Sequence, residues 1–142
     1  MPQQRMLQAV IDTNVVFEGV TSQGSAPGLI IEAWLSQLFV ACVSNALAYE
    51  YTDVLARKLA PRRWRQLQPM VGMLLAQARF VPVYLSWRPM SPDPGDDHVI
   101  DCAMNAGAPV VTANEQDFRT AQRTLGLVVL PPVDFVTRLA QI

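Results

Sequence analysis

The 142-residue sequence has only one histidine and two cysteines, and its one lysine is Lys58. A single histidine, His98, excludes a two-histidine acid–base pair within one chain, and we expect it at the surface beside Asp97. Cys42 and Cys102 lie far apart, each in an apolar stretch. Such cysteines are typical of buried small hydrophobic residues rather than of a disulfide framework or a zinc site.

Several catalytic motifs are missing as well. The sequence contains no G-x-G-x-x-G, no Walker A lysine motif and no Gly-x-Ser-x-Gly elbow, so it lacks these other routes to hydrolytic or phosphoryl chemistry. Lys58 does not follow a predicted strand, which disfavours an aspartyl-phosphate phosphatase or a phospho-receiver.

Long apolar runs are also absent, so we expect no membrane-spanning segment and no membrane association. Residues 1–5 do not begin the pattern of a signal peptide. Because the two cysteines are expected to be buried and unpaired, we expect a reducing, cytoplasmic setting. With 51% hydrophobic and 16% charged residues, the chain is a dense globular one. Its length suits one domain that covers residues 1–142.

The net charge is only −1, but the charges are clustered. Five of the eleven basic residues fall within nine positions together with a tryptophan, and we call this set the basic patch: Arg57, Lys58, Arg62, Arg63, Trp64 and Arg65. Four of the twelve acids also fall within nine positions: Asp93, Asp96, Asp97 and Asp101. The two clusters indicate a metal-using enzyme with an anionic substrate, although an ordinary salt-laced surface fits them nearly as well.

Short apolar runs alternate with segments of helical periodicity. We predict strands over residues 6–11, 38–43, 80–84, 109–112 and 127–130. We predict helices over residues 28–37, 45–58, 61–79, 96–105, 118–125 and 133–140. Ser44 is the expected N-cap of the second helix, Pro69 a kink or break in the third, and Pro82 favours an edge position for its strand. This alternation predicts an α/β fold with a mainly parallel sheet covered by helices on both faces.

Ligands of such sheets bind beyond the carboxyl ends of the strands, which selects among the acids. Asp12 directly follows the first predicted strand, and Asn114, Glu115 and Asp117 follow the strand over residues 109–112. We therefore expect these side chains at one edge of the sheet. Helix capping is an equally good role for Asp12, and it competes strongly for Asp117.

Glu50 belongs to the apolar stripe of its predicted helix, three residues after Leu47 and four before Val54. A carboxylate on an apolar face is costly to bury without a partner or a metal. Glu50 is therefore a candidate metal ligand, with a buried Glu–Arg pair as the alternative.

Asp96 and Asp97 begin a predicted helix, where the helix dipole alone favours acids. Asp97 and Asp101 are four residues apart and would repel each other without a cation, so we expect one to face the pocket and the other its rim. Carboxylates gathered in this way form a hard-oxygen site that suits Mg²⁺ or Mn²⁺. With a metal, such a site can bind a phosphodiester and activate water.

Four motifs in order resemble those of PIN domains. They are Val-Ile-Asp-Thr-Asn-Val-Val over residues 10–16, the segment from Val43-Ser44 to Glu50-Tyr51 and Val54-Leu55, Asp-Pro-Gly-Asp-Asp-His-Val-Ile-Asp-Cys-Ala over 93–103, and Val-Val-Thr-Ala-Asn-Glu-Gln-Asp-Phe over 110–118. The resemblance covers nearly the whole chain. Within the family, the sequence looks most like the toxin components of toxin–antitoxin systems akin to the virulence-associated C toxins.

The resemblance implies a three-layer α/β/α sandwich and an Mg²⁺- or Mn²⁺-dependent ribonuclease. By position it implies that the catalytic and metal-binding acids are Asp12, Glu50, Asp97 and Asp117. It gives supporting positions to Thr13, Asn14, Asn114, Asp96 and Asp101. It further implies an RNA substrate, a cognate antitoxin protein as a partner, and self-association into a homo-oligomer.

The basic patch gains a function from this resemblance, because its cations could follow an RNA backbone and Trp64 could stack on a base. A solvated helix end, or a surface that binds an acidic antitoxin segment, explains the same residues. Two further functions remain open for the whole chain: a PIN-like module that binds RNA or protein without catalysis, and a small metal-dependent phosphatase.

Overall fold

The computed structural model describes residues 6–88 and 90–141. Residues 1–5, 89 and 142 lie outside the described residues. The expectation that no signal peptide begins the chain concerns residues 1–5 and so falls outside them as well. The described residues contain five strands: β1 Gln8–Ile11, β2 Val40–Val43, β3 Arg79–Phe80, β4 Val110–Val111 and β5 Val129–Leu130. The helices are α1 Thr13–Thr21, α2 Ala26–Leu35, α3 Asn45–Lys58, α4 Pro61–Gln77, α5 Pro94–Ala106, a 3-10 helix Glu115–Phe118, α6 Arg119–Leu125 and α7 Pro132–Ala140.

The strands form one parallel sheet in the order β3-β2-β1-β4-β5. Helix α5 packs against β1, β2 and β4, whereas α2 packs with α1, α4 and α7. The result is the predicted three-layer α/β/α arrangement with β3 at an edge. In the described residues, no helix is long and apolar enough to cross a membrane.

Local sequence signals set most helix boundaries. Ser44 caps α3 as predicted, since its Oγ accepts a hydrogen bond from Leu47 N at 3.1 Å. Helix α5 ends at Gly107, whose φ of 66° lies in the left-handed region. Pro69 neither ends nor breaks α4, which continues to Gln77. Helix α1 directly follows Asp12, so it is the helix that this residue could cap.

Among the boundaries that differ from the prediction, two are set by hydrogen bonds of side chains. Strand β3 ends at Phe80 rather than at residue 84, and Tyr84 N donates instead to Oδ1 of Asn105 on α5 at 3.0 Å. Helix α5 begins at Pro94 rather than at residue 96, because Asp93 caps it by accepting from Gly95 N at 2.9 Å.

The core lies between the sheet and its helices, with Trp34 and Tyr51 among the largest fully buried side chains. Cys42 and Cys102 are buried free thiols, as predicted. Gly19 allows α1 and α2 to approach closely, because a Cβ there would lie 2.3 Å from Cγ1 of Ile31.

Candidate active site

The strand order reverses between β1 and β4, which lie side by side in the centre of the sheet. In open parallel sheets, the crevice at such a reversal is the usual position of a ligand site. Asp12 follows β1 there, and Thr112 follows β4. The topology therefore brings two polar side chains, 100 positions apart in sequence, to the carboxyl edge of adjacent strands.

Asp12 is buried at this edge, and its Oδ2 accepts a hydrogen bond of 2.7 Å from Oγ1 of Thr112. It occupies the N-cap position of α1, but its side chain makes no capping hydrogen bond. Burial raises the pKa of Asp12, while the Thr112 hydroxyl and the backbone at Thr13 oppose that rise. The carboxylate is thus oriented by a neighbouring strand rather than used as a cap.

Asp96, near the start of α5, shares this environment. Its carboxyl group is buried, and Oδ2 accepts a hydrogen bond from Oγ of Ser91 at 3.0 Å. Burial, with the negative charge of Asp12 next in importance, raises the pKa of Asp96 to about 7. A carboxyl group whose ionisation a neighbouring carboxylate opposes in this way would be stabilised in its charged form by a bound cation.

Asp12 and Asp96 line one cavity of about 250 Å³. Glu50, half-buried on α3, lines it too, and it has no ion pair within the described residues, so the buried Glu–Arg alternative does not apply. Gly95 forms part of the wall, where a Cβ would lie 2.9 Å from Oε1 of Glu50. The remaining lining residues are Thr13, Asn14, Val54, Arg57, Lys58 and Asp93.

Asp97 does not line this cavity, although the resemblance placed it among the metal-binding acids. Consecutive residues of a helix point about 100° apart, so Asp96 and Asp97 cannot face the same way. Oδ1 of Asp97 accepts from Met90 N at 3.0 Å. Asp101 is also turned away and pairs with Arg88 at 3.1 Å. His98, next to Asp97, is half-buried, with Nδ1 2.9 Å from Nη2 of Arg88.

Asp117 and Asn114 line a different cavity, of about 370 Å³, on the 3-10 helix side of the edge. The charge of Asp117 nevertheless contributes to raising the pKa of both Asp12 and Asp96. Neither the 3-10 helix nor α6 has a side-chain N-cap hydrogen bond, so Asp117 does not cap in this structure. The four acids named from the resemblance are therefore not gathered in one cavity.

Three residues near the site were given no place in it by the sequence. Asp93 belongs to the acidic cluster and begins the third PIN-like motif, but only the structure shows that it lines the cavity beside Glu50. Thr112 ends an apolar strand next to Asp12, and this polar strand end was the available signal. Ser91 lies in a proline-rich loop whose path no periodicity predicts.

The basic patch divides into two parts. Arg57 and Lys58 line the cavity, where Arg57 pairs with Asp53 at 2.9 Å. Lys58 lies 5.3 Å from the ring centre of Phe17. Trp64 is half-buried and packs against the core. The other members are exposed on α4 and do not line the cavity: Arg62, Arg63 and Arg65.

A divalent cation fits the donor chemistry of this cavity. Asp12, Glu50 and Asp96 offer carboxylate oxygens, which Mg²⁺ and Mn²⁺ prefer. Across residues 6–88 and 90–141, no three His, Cys, Asp or Glu side chains are grouped closely enough to enclose a metal by themselves. Mg²⁺ does not require such an enclosure, since it usually keeps several waters and takes one or two carboxylates.

The class of protein is thus an α/β/α sandwich that carries an acidic crevice where its strand order reverses. A PIN domain family model matches residues 8–116, and the chain belongs to that family. No curated protein matches the sequence.

Solved structures share the fold at low sequence identity. VapBC2 from Rickettsia felis, bound to a DNA fragment from their promoter, has a TM-score of 0.65 at 12% identity, over 88% of this chain and 98% of that one. PAE2754 from Pyrobaculum aerophilum gives 0.61 at 14%, over 96% and 91%. FitAcB from Neisseria gonorrhoeae gives 0.57 at 15%, over 87% and 97%.

Proposed function

We propose that this protein is an Mg²⁺- or Mn²⁺-dependent endoribonuclease that hydrolyses phosphodiester bonds of RNA. One observation carries the proposal: Asp12, Glu50 and Asp96 line a single cavity at the strand reversal, with Arg57 and Lys58 at the same cavity. Membership of the PIN domain family supports it. Acids alone would repel a phosphodiester, and the adjoining cations and a bound metal both offset that repulsion.

The proposed metal ligands are Asp12 and Asp96, with Glu50 as the third acid. Asp96 takes the position that the resemblance gave to Asp97. Thr112 keeps the Asp12 carboxylate oriented, and Ser91 does the same for Asp96. A divalent cation at these oxygens would activate water for attack on phosphorus and stabilise the leaving oxygen.

Asp117 and Asn114 have a less direct function in this proposal. Their separate cavity adjoins the same edge of the sheet, and the charge of Asp117 already influences Asp12 and Asp96. Asp117 adds negative potential that favours cation binding, without direct coordination in this arrangement. Arg57 and Lys58 hold phosphates that flank the scissile bond, since each lies at the cavity that would contain the metal.

The decisive experiment measures RNA cleavage by the purified protein with Mg²⁺ or Mn²⁺, with EDTA, and in Asp12→Asn and Asp96→Asn. Both variants and EDTA should abolish cleavage, whereas Asp134→Asn, a change at an exposed acid on α7, should not. Equal cleavage by wild type and Asp96→Asn after identical purification would reveal a contaminating nuclease. Release of phosphate from small esters with intact RNA would favour the phosphatase alternative.

The same proposal makes the protein the toxin of a toxin–antitoxin pair, acting in the cytoplasm. The fold shared with the VapBC2 and FitAcB structures supports a cognate antitoxin as the partner. Self-association of the toxin belongs to the same proposal and rests on the family resemblance alone. Expression should arrest growth, and a neighbouring gene product should relieve the arrest. Unimpaired growth during expression of soluble, RNA-cleaving protein would remove the toxin role without affecting the ribonuclease.

A further inference from the structure

Three side chains on α5, spaced four residues apart, accept hydrogen bonds from main-chain N–H groups of the segment between β3 and α5. We call this set the polar ladder. Its pairs are Asn105 with Tyr84 and Leu85, Asp101 with Trp87, and Asp97 with Met90, at donor–acceptor distances from 3.0 to 3.3 Å. The segment therefore runs antiparallel to α5, with side chains of the helix as acceptors in place of a neighbouring strand.

The spacing of the ladder explains why the pairing works. Residues four apart on an α-helix are about 6 Å apart along its axis. Two residues of extended chain span about 6.6 Å, which matches the step from Leu85 to Trp87 between two rungs. Asn105 and Asp101 thus lie at the right distance to accept from Leu85 and Trp87 of the same segment.

Two rungs are reinforced. Nδ2 of Asn105 donates to the carbonyl oxygens of Leu85 at 2.8 Å and Asp101 at 2.7 Å. The guanidinium group of Arg88 donates to Oδ2 of Asp101 from Nε at 3.2 Å and Nη2 at 3.1 Å. At Asp97 the structure has one rung bond, which an amide oxygen could accept as well as a carboxylate.

The residues that directly follow the last rung contact or line the cavity. Met90, which Asp97 holds, precedes Ser91, whose hydroxyl donates to Asp96. Asp93 follows two residues later and lines the cavity. Displacement of Met90 would therefore move both the partner of one buried acid and an acidic wall residue.

We infer that Asp97, Asp101 and Asn105 are positioning residues, whose polar ladder fixes the segment that carries Ser91 and Asp93 into the cavity. Asp97 acts as a hydrogen-bond acceptor and not through its charge. The catalytic part of this inference rests on the proposed ribonuclease function, whereas the structural part does not.

The test compares wild type, Asp97→Asn, Asp97→Ala and the remote control Asp134→Ala by amide hydrogen exchange at Met90 and by RNA cleavage. Asp97→Asn keeps an acceptor, so both exchange and cleavage should stay near wild type. Asp97→Ala should speed exchange at Met90 by about tenfold, the scale of one lost hydrogen bond. Its cleavage should fall by about 10–100-fold, as for other residues that orient a metal site.

Failure of this inference and failure of the proposed function give different results. Loss of cleavage in Asp97→Asn as complete as in Asp96→Asn, with unchanged exchange at Met90, would make Asp97 a ligand and overturn the inference. If wild type cleaves no RNA, the proposed function fails, and exchange alone decides: unchanged Met90 exchange in Asp97→Ala overturns the ladder. If Asp97→Ala does not fold, Asn105→Ala provides the same exchange test at Tyr84 and Leu85.

Discussion

The hydroxyl of Thr112 donates a 2.7 Å hydrogen bond to Oδ2 of Asp12, across the boundary between β4 and β1. Both side chains are buried, and the same hydroxyl oxygen accepts from Asn114 N at 3.0 Å. The bond favours the ionised carboxylate, and it opposes the rise that burial causes in the pKa of Asp12. Thr112 thereby keeps one proposed ligand both oriented and closer to its charged form.

Replacement of Thr112 by Val should therefore lower RNA cleavage by about 10–100-fold at a fixed Mg²⁺ concentration. Valine preserves the shape of the side chain but leaves Asp12 without its donor. Thr112→Ser retains the hydroxyl and should keep most activity. Cleavage rates over a Mg²⁺ titration check this, and equal metal requirements in Thr112→Val and wild type would contradict it.

Asp96 gives the protein a pH dependence of stability with a definite sign. Its pKa is raised to about 7, whereas a carboxyl group in the unfolded chain has a pKa of about 3.9. Between these values the folded state holds a proton that the unfolded state has released, so this contribution to stability is lost as pH rises. Without metal, wild type should lose more thermal stability from about pH 5.5 to about pH 8 than Asp96→Asn does.

Metal reverses this trend, because only the ionised carboxylate binds a cation. Stabilisation by Mg²⁺ should thus be larger at about pH 8 than at about pH 5.5, and absent in Asp96→Asn. Thermal melts by circular dichroism, with EDTA and then with MgCl₂, measure both effects. A pH response of the melting temperature that Asp96→Asn leaves unchanged would show that Asp96 is not its source.

The fold was predictable from the sequence as far as the spacing of apolar residues and the positions of turn and capping residues determine it. The parallel sheet, the edge position of β3 and the ends of α5 and α6 at glycines follow from local patterns. The site was less predictable, because Asp96 and Asp97 have the same chemistry and differ only in rotation about α5. That rotation depends on how α5 packs on β1, β2 and β4, which no single-sequence pattern specifies.

Loop residues were the least predictable part of the site. Ser91 reaches Asp96 only because the preceding segment is held along α5 by side chains rather than by a strand. An expected strand over residues 80–84 hid this arrangement, since its apolar residues fit a strand equally well. Exposed Tyr84 shows that the apolar run does not continue into the core.

Gly95 offers a test of the cavity that leaves every polar group in place. A methyl group there would lie 2.9 Å from Oε1 of Glu50 and 3.4 Å from Oδ1 of Asp93. Since the end of a glutamate side chain can move, Gly95→Ala should fold but displace Glu50 and reduce cleavage. Gly72→Ala is the matched control: nothing lies within 4 Å of its Cβ on α4, and it should stabilise by about 0.5–1 kcal/mol. Full activity in Gly95→Ala would argue against a role for Glu50.

Tyr51 connects the two elements that carry Glu50 and Asp12. Its buried hydroxyl donates to the carbonyl oxygen of Ile11, the residue before Asp12. Tyr51→Phe should cost about 1 kcal/mol of stability and also raise the Mg²⁺ concentration needed for cleavage. Trp34→Phe removes another buried bond, from Nε1 to Leu74 O at 2.9 Å, together with part of the indole volume. It should therefore cost more stability, but neither residue lines the cavity. If both variants lose stability and neither changes the metal requirement, Tyr51 has only a structural role.

The two halves of the basic patch should differ in their contribution to RNA binding. Arg57 and Lys58 line the cavity, so Arg57→Gln/Lys58→Gln should weaken binding and flatten its dependence on salt, by about 1.4 in the slope of log K against log salt for two lost phosphate contacts. Loss of the Arg57–Asp53 pair itself should matter little, because its side chains are 62% and 60% exposed.

Arg62→Gln/Arg63→Gln carries the same charge change on α4, outside the cavity lining. Fluorescence anisotropy with a labelled RNA, in an Asp96→Asn background that prevents cleavage, measures both slopes. Equal slopes in the two double variants would mean that RNA follows the whole patch rather than the cavity rim.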